Sequence, residues 1–225
     1  TGARGVLMDI AVSMTRNSRG GPAKAAVVGS SLMGMISGTA VANVLTTGTI
    51  SIPLMRRGGY RPAVAGAVEA VASTGGQLMP PIMGAAAFLM ADIMEVPYLD
   101  ITKAALLPAL LFYIAVFASV HLEAIKTGLK PLESIDIPDV AQSLRNSGHV
   151  LLSIPVFIGT LISGYSVMYS SLAGIICLLA LSLLRHSSRL NPRQLIAAAV
   201  SAAEAILPVA LATATAGIII GVVTL

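Results

Sequence analysis

The chain has 225 residues, 56% of them hydrophobic and only 11% charged, with a net charge of +4, no Trp and a single cysteine, Cys177. A soluble domain carries about a quarter charged residues, and its helices need polar faces that these apolar runs lack. The composition therefore excludes an ordinary soluble globular protein. Basic residues that flank apolar runs point to membrane orientation rather than to nucleic acid. The fold expected is all-α and integral to the membrane: a polytopic helical bundle in which apolar stretches of about 18 residues or more are candidate spans. One cysteine cannot form an intrachain disulfide, so the redox compartment is not legible.

In chain order, residues 1–15 read as the end of a helix and 16–24, RNSRGGPAK, as a basic loop. Residues 25–55 are apolar and small, and Arg56, Arg57 and Arg61 close them. Basic residues at both ends place both on the cytoplasmic side. Two full spans need about 20 residues each plus a turn, which this segment does not have. The pattern predicts a re-entrant helical hairpin with its bend in SGTAVAN, residues 37–43. Irregular backbone at that depth is tolerated only against protein or a wet cavity.

Residues 62–91 are too many for one straight span at 1.5 Å per residue. Their middle, ASTGGQLMPPIMG, holds Gly75, Gly76, Pro80 and Pro81, which are poor helix interiors. A discontinuous transmembrane helix, two half-helices around an unwound middle, is expected over about 62–92. Asp92, Glu95 and Asp100 mark the far side, and 101–120 return. Residues 121–148 read as a cytoplasmic loop with a short interfacial helix near 137–145. A pair of spans follows within 149–190, turning at Gly164-Tyr165-Ser166, and 191–225 begin a further helical region. The chain starts at Thr1 without Met and ends inside an apolar run, as a fragment of a longer polypeptide would.

The two expected breaks are where the small polar residues gather. Ser37, Thr39, Thr46, Thr47, Ser73 and Thr74 bring hydroxyls, and Asn43 and Gln77 each bring one acceptor and two donors. Gly38, Gly75 and Gly76 let carbonyls approach closely. Broken helices near mid-membrane offer N-termini to anions and freed carbonyls to sodium. Against this stands a plain packing role, since Ser and Thr are common glue between membrane helices. Glu69, inside VAGAVEAVAS, is an intramembrane carboxylate and so a candidate for ion coupling: it could bind a cation, carry a proton or hold helices together. No His or Cys spacing supports a metal site, and no P-loop or nucleophile elbow is present. An enzyme would need convergent acids and bases at this depth, and Glu69 stands alone.

SGTAVANVLTTGTISIPLMRRGGY followed by PAVAGAVEAVASTGGQLMPPIMGAAAFLMAD resembles the large membrane subunit, DctM-like, of tripartite ATP-independent periplasmic (TRAP) transporters. The closest likeness is to the branch in which small and large membrane subunits are fused; GGPAKAAVVGSSLMGMISG and ATATAGIIIGVVTL share it. The resemblance implies a sodium-coupled secondary importer of small organic acids, of the C4-dicarboxylate or keto-acid type, in a bacterial or archaeal inner membrane. It implies an elevator-type mechanism, no cofactor beyond sodium as coupling ion, and two partners: a periplasmic substrate-binding protein and a small membrane subunit. By the same resemblance Ser37, Gly38, Thr39 and Asn43 form the hairpin tip, and Gly75, Gly76, Gln77, Pro80 and Pro81 the unwound segment. Together they make part of a sodium and substrate site, within a transport domain over 1–120. Residues 149–190 become a scaffold pair and 191–225 the start of a second transport half. Many members carry Asp where this chain has Asn43, so the charge of that carboxylate is missing here. A proton-coupled organic-anion carrier working through Glu69 is the alternative reading.

Overall fold

The computed structural model describes residues 3–129, 131, 140–184 and 191–224. Every regular element among them is helical. The chain divides into two compact units, Thr1–Leu179 and Ala180–Leu225. All of the site described below lies in the first.

Helix α1 (Ala3–Thr15) ends on a turn in which Gly20 takes φ 72°, and α2 (Gly21–Ser37) starts with Pro22 in its first turn, where a missing N–H costs nothing. Lys24, expected in the basic loop, is inside α2 and only 4% exposed. α2 stops at Gly38, whose φ of 63° suits glycine and whose N–H reaches the Gly34 carbonyl. Thr39 is extended and caps α3 (Ala40–Arg57), its Oγ1 accepting from the Ala42 N–H at 3.4 Å. The bend is thus narrower than SGTAVAN: two residues leave the helical path, and Asn43 already lies in the first turn of α3. A single αL glycine and one side-chain cap are enough to turn the chain. The arms are also longer than expected, about 25 Å each by helical rise.

Arg56 and Arg57 complement the carbonyl end of α3. After Gly59 and the buried Tyr60, α4 (Pro62–Gly75) begins on a proline and ends in the gap of residues 76–84. The gap carries the cis Pro80–Pro81 bond and Met83 at φ 56°, and α5 (Ala85–Met94) resumes after it. Two helices, α4 and α5, thus flank an irregular middle where the unwound segment is expected. Tyr98 opens α6 (Tyr98–Lys126), stacks on Phe88 of α5 at 4.7 Å and donates to the Pro81 carbonyl at 3.2 Å, tying the gap to α6. α6 continues past 120 to Lys126, so His121 and the five residues after it are helical and not loop. It is long and apolar enough to cross a membrane.

α7 (Val140–Ser147) matches the short polar helix expected near 137–145; its first residues fall outside the described ones. A 3-10 turn, Gly148–Leu152, leads into α8 (Ser153–Ile162), and a turn at Gly164, φ 87°, into α9 (Val167–Leu184). In the second unit α10 (Pro192–Thr224) presents exposed Ile196, Leu207, Leu211 and Ile218, a surface suited to lipid or to further protein.

α2, α3 and α4 pack on one another, with α1 against α2 and α6 against α2 and α4. The interior is built from small residues: Ala23, Ala26, Ala65, Ala72 and Ala124 are fully buried around Met55 and Tyr113. With no hydrophobic drive between helices in lipid, close approach supplies the attraction, and small residues permit it.

Candidate functional site

The hairpin turn and the helix gap are in contact. A Cβ on Gly38 would stand 2.6 Å from the Met83 carbonyl oxygen, and one on Gly84 would stand 3.3 Å from the Gly38 carbonyl oxygen. One turn below, the backbones of Gly34 and Gly76 touch: a Cβ on Gly76 would meet the Gly34 Cα at 2.8 Å and Asn43 Nδ2 at 2.9 Å. The N-termini of α3 and α5 and the C-termini of α2 and α4 therefore converge on one place. N-terminal N–H groups favour anions there, and uncapped carbonyls favour cations.

Beneath the junction lies a buried polar network. Asn43 is fully buried; its Nδ2 donates to the Ser30 carbonyl at 2.9 Å and to the Ser73 carbonyl at 3.4 Å. Its Oδ1 is buried and has no partner among the described residues. Leaving such an acceptor unpaired costs about 1–3 kcal/mol, and an orphan of this kind calls for an explanation. Glu69, also fully buried, is the centre of four hydroxyls. Ser73 donates to Oε1 at 3.0 Å and Ser30 reaches the same oxygen at 3.3 Å. Thr47 also meets Oε1, while Ser51 donates to Oε2. Thr47 Oγ1 is in addition 2.8 Å from the Asn43 carbonyl, so one hydroxyl links the two groups. No basic side chain pairs with Glu69 among the described residues. A carboxyl taken from water needs its lone pairs met, and here hydroxyls from three helices meet them.

The expected site residues separate into two sets. Asn43, Thr47, Ser73, Gly76 and Glu69 are buried and drawn together where α2, α3 and α4 meet, and Gly75 is buried against α6. Gly38, Pro80 and Pro81 are buried at the junction itself, with Ser37 and Thr39 half-buried beside them; the Ser37 hydroxyl reaches only the Thr39 carbonyl, at 3.5 Å. Thr46 and Thr74 spend their hydroxyls on their own helices, at the Ala42 and Ala70 carbonyls, and Gln77 is exposed. Gly75 is small for packing, because any side chain there would run into the Phe112 ring.

Two members of the network, Ser30 and Ser51, were not among the expected residues. The signal for Ser51 is in the spacing: Asn43, Thr47 and Ser51 recur every four residues, as do Glu69 and Ser73, so each set lines one helix face. Ser30 has no such signal, since only the packing of α2 brings it to Glu69.

Comparison with known proteins places a family on this geometry. The model of the family described as "Tripartite ATP-independent periplasmic transporter, DctM component" matches residues 1–225. Among curated relatives, the C4-dicarboxylate TRAP transporter large permease protein DctM of Pseudomonas aeruginosa is 29% identical over 158 residues, 70% of this chain and 36% of that protein. The protein y4mL of Sinorhizobium fredii is 32% identical over 105 residues, 47% of this chain and 25% of that one. YgiK of Salmonella typhimurium is 27% identical over 158 residues, again 70% and 36%. The chain thus spans from a quarter to about a third of the length of these relatives.

Proposed function

We propose, from the premise that this chain belongs to the DctM-component family of tripartite ATP-independent periplasmic transporters, that it forms one half of the ion and substrate site of a sodium-coupled importer of small organic acids. The observation that carries the reading is the contact of the Gly38 turn with the residue 76–84 gap. α4 puts that gap about 21 Å from Pro62, and α5 adds about 15 Å beyond it. A turn packed against the gap therefore ends inside the bilayer, which supports a re-entrant hairpin over a full double crossing.

Sodium is a hard cation that takes oxygen ligands. The orphan Oδ1 of Asn43 is of that kind, at a place where the carbonyl ends of α2 and α4 meet. The N-termini of α3 and α5 suit a carboxylate substrate. Binding of the cation would hold the turn against the gap and complete the anion site, a coupling of about 1–3 kcal/mol. Residues beyond this chain would furnish the other half of the site, a periplasmic binding protein would deliver substrate, and a small membrane subunit would complete the assembly. The elevator movement belongs to the same proposal.

The buried Glu69 favours a second reading, coupling by protons, because a carboxyl within a ring of hydroxyls is the one ionisable group in the network. Uptake of radiolabelled dicarboxylates and keto acids separates the readings, using proteoliposomes of the full-length protein with its binding protein outside. The leading reading expects uptake that needs an inward sodium gradient and the binding protein, and that Asn43→Ala weakens in its sodium dependence. Uptake that follows a proton gradient, ignores sodium and is lost in Glu69→Gln would replace it with the second.

A further inference from the structure

On a different face of α2 from Ser30, a groove of about 540 Å³ runs between α2 and α6. Its walls are apolar, with Val27 and Val28 on α2 and Leu110, Ile114 and Phe117 on α6, and its two basic groups are Lys24 and His121. Lys24 is 4% exposed, yet its ammonium has only the Phe117 ring for company, 5.1 Å from the centroid. No carboxylate pairs with it among the described residues. His121 Nδ1 is buried and has no hydrogen-bond partner there. A cation without an anion beside it is costly in an apolar wall, and His121 lines the same groove as a second basic residue.

We infer that this groove seats an anionic phospholipid, its phosphate held by Lys24 and His121 and an acyl chain lying along Leu110, Ile114 and Phe117. Three features select this occupant. The charge is complementary, since the groove offers cationic and N–H groups and no acidic side chain. The depth fits, because Leu110 to His121 rises about 16 Å, close to half of the roughly 30 Å hydrocarbon core. The leaflet fits as well: Arg16 and Arg19 precede α2 and Lys126 ends α6, so the basic end of the groove is the cytoplasmic one, where anionic headgroups attract basic residues. The inference needs only a membrane location and not the identity of the transported acid.

Native mass spectrometry of the full-length protein, released from micelles doped with equal phosphatidylglycerol and phosphatidylcholine, tests it. The wild type should retain phosphatidylglycerol in preference. Lys24→Gln should lower that preference about fivefold, the weight of one basic group near a charged surface, and Lys24→Arg should keep it. Ala118→Leu, which narrows the groove without touching a charge, should reduce retention of both lipids, and it decides the matter if Lys24→Gln fails to fold. Equal retention of the two lipids by the wild type, or no change in any variant, overturns the inference. So does cross-linking of Ile114→Cys, in a Cys177→Ser background, to another segment of the protein, which would make the occupant protein and not lipid.

Discussion

Gly38 and Met83 are held so close that a single methyl group on the first would stand 2.6 Å from the carbonyl oxygen of the second. The turn of the hairpin and the gap of the broken helix are thereby one structural unit. Gly38→Ala should be poorly tolerated on two counts: φ 63° costs an L-residue about 1–2 kcal/mol, and the new methyl forces the turn off the gap. Thermal unfolding of the full-length protein in detergent should show a drop of several degrees, and transport should fall further than folded yield does. A variant with wild-type uptake would mean that the contact is not needed.

Gly76→Ala addresses the level below. Its methyl would meet the Gly34 Cα and Asn43 Nδ2, so α2 and α4 must part or the Asn43 amide must leave the Ser30 carbonyl. Overpacking of this kind costs about 1–3 kcal/mol. Thr74→Ala, two residues away on an exposed face, should lie within about 0.5 kcal/mol of wild type. Equal melting temperatures for the two variants would count against the close helix approach.

Glu69 should respond to shape and charge separately. Glu69→Ala leaves the hydroxyls of Ser30, Thr47, Ser51 and Ser73 without their shared acceptor and opens a cavity, at a cost of about 3 kcal/mol or more. Glu69→Gln keeps an acceptor in place, and the hydroxyls can turn to receive its N–H groups, so its cost should be nearer 1 kcal/mol. Chemical unfolding of both variants gives the order. If Gln destabilises as much as Ala, the charge and not the hydrogen-bond network holds these helices.

Tyr60 gives a pH signature at the loop between α3 and α4. Its hydroxyl points to the Gly20 carbonyl at 3.4 Å, and burial, with Glu123 nearby, pushes its pKa up from 10.0 to about 12. A pKa raised by folding means that the folded state holds the proton more tightly than the unfolded one. The stabilisation is complete below pH 10 and is lost as pH rises from 10 toward 12, by up to about 3 kcal/mol. Melting temperature against pH should fall across that window, and Tyr60→Phe should remove this component of the fall. An identical alkaline profile in Tyr60→Phe would assign the loss to other groups.

By itself the sequence determined the class of the protein and the places where its helices break. Low charge and long apolar runs demand a bilayer. Gly38 and the close run of Gly75, Gly76, Pro80 and Pro81 mark the breaks, because these residues act locally on the backbone, whereas the single Pro53 and Pro108 stay inside α3 and α6. Local chemistry could not say which hydroxyls matter. Thr46 and Thr47 are neighbours in one polar run, yet Thr46 bonds its own helix and Thr47 reaches Glu69, since successive helical residues point about 100° apart. Lys24 likewise reads as a loop cation until α2 carries it under α6 beside Phe117. Which side chains meet is settled by the packing of α2, α3, α4 and α6, and packing depends on contacts between residues far apart in the chain. Ser30 joining Glu69 from another helix is the clearest case: nothing within either segment requires it, and only the close approach of small-residue faces brings it about.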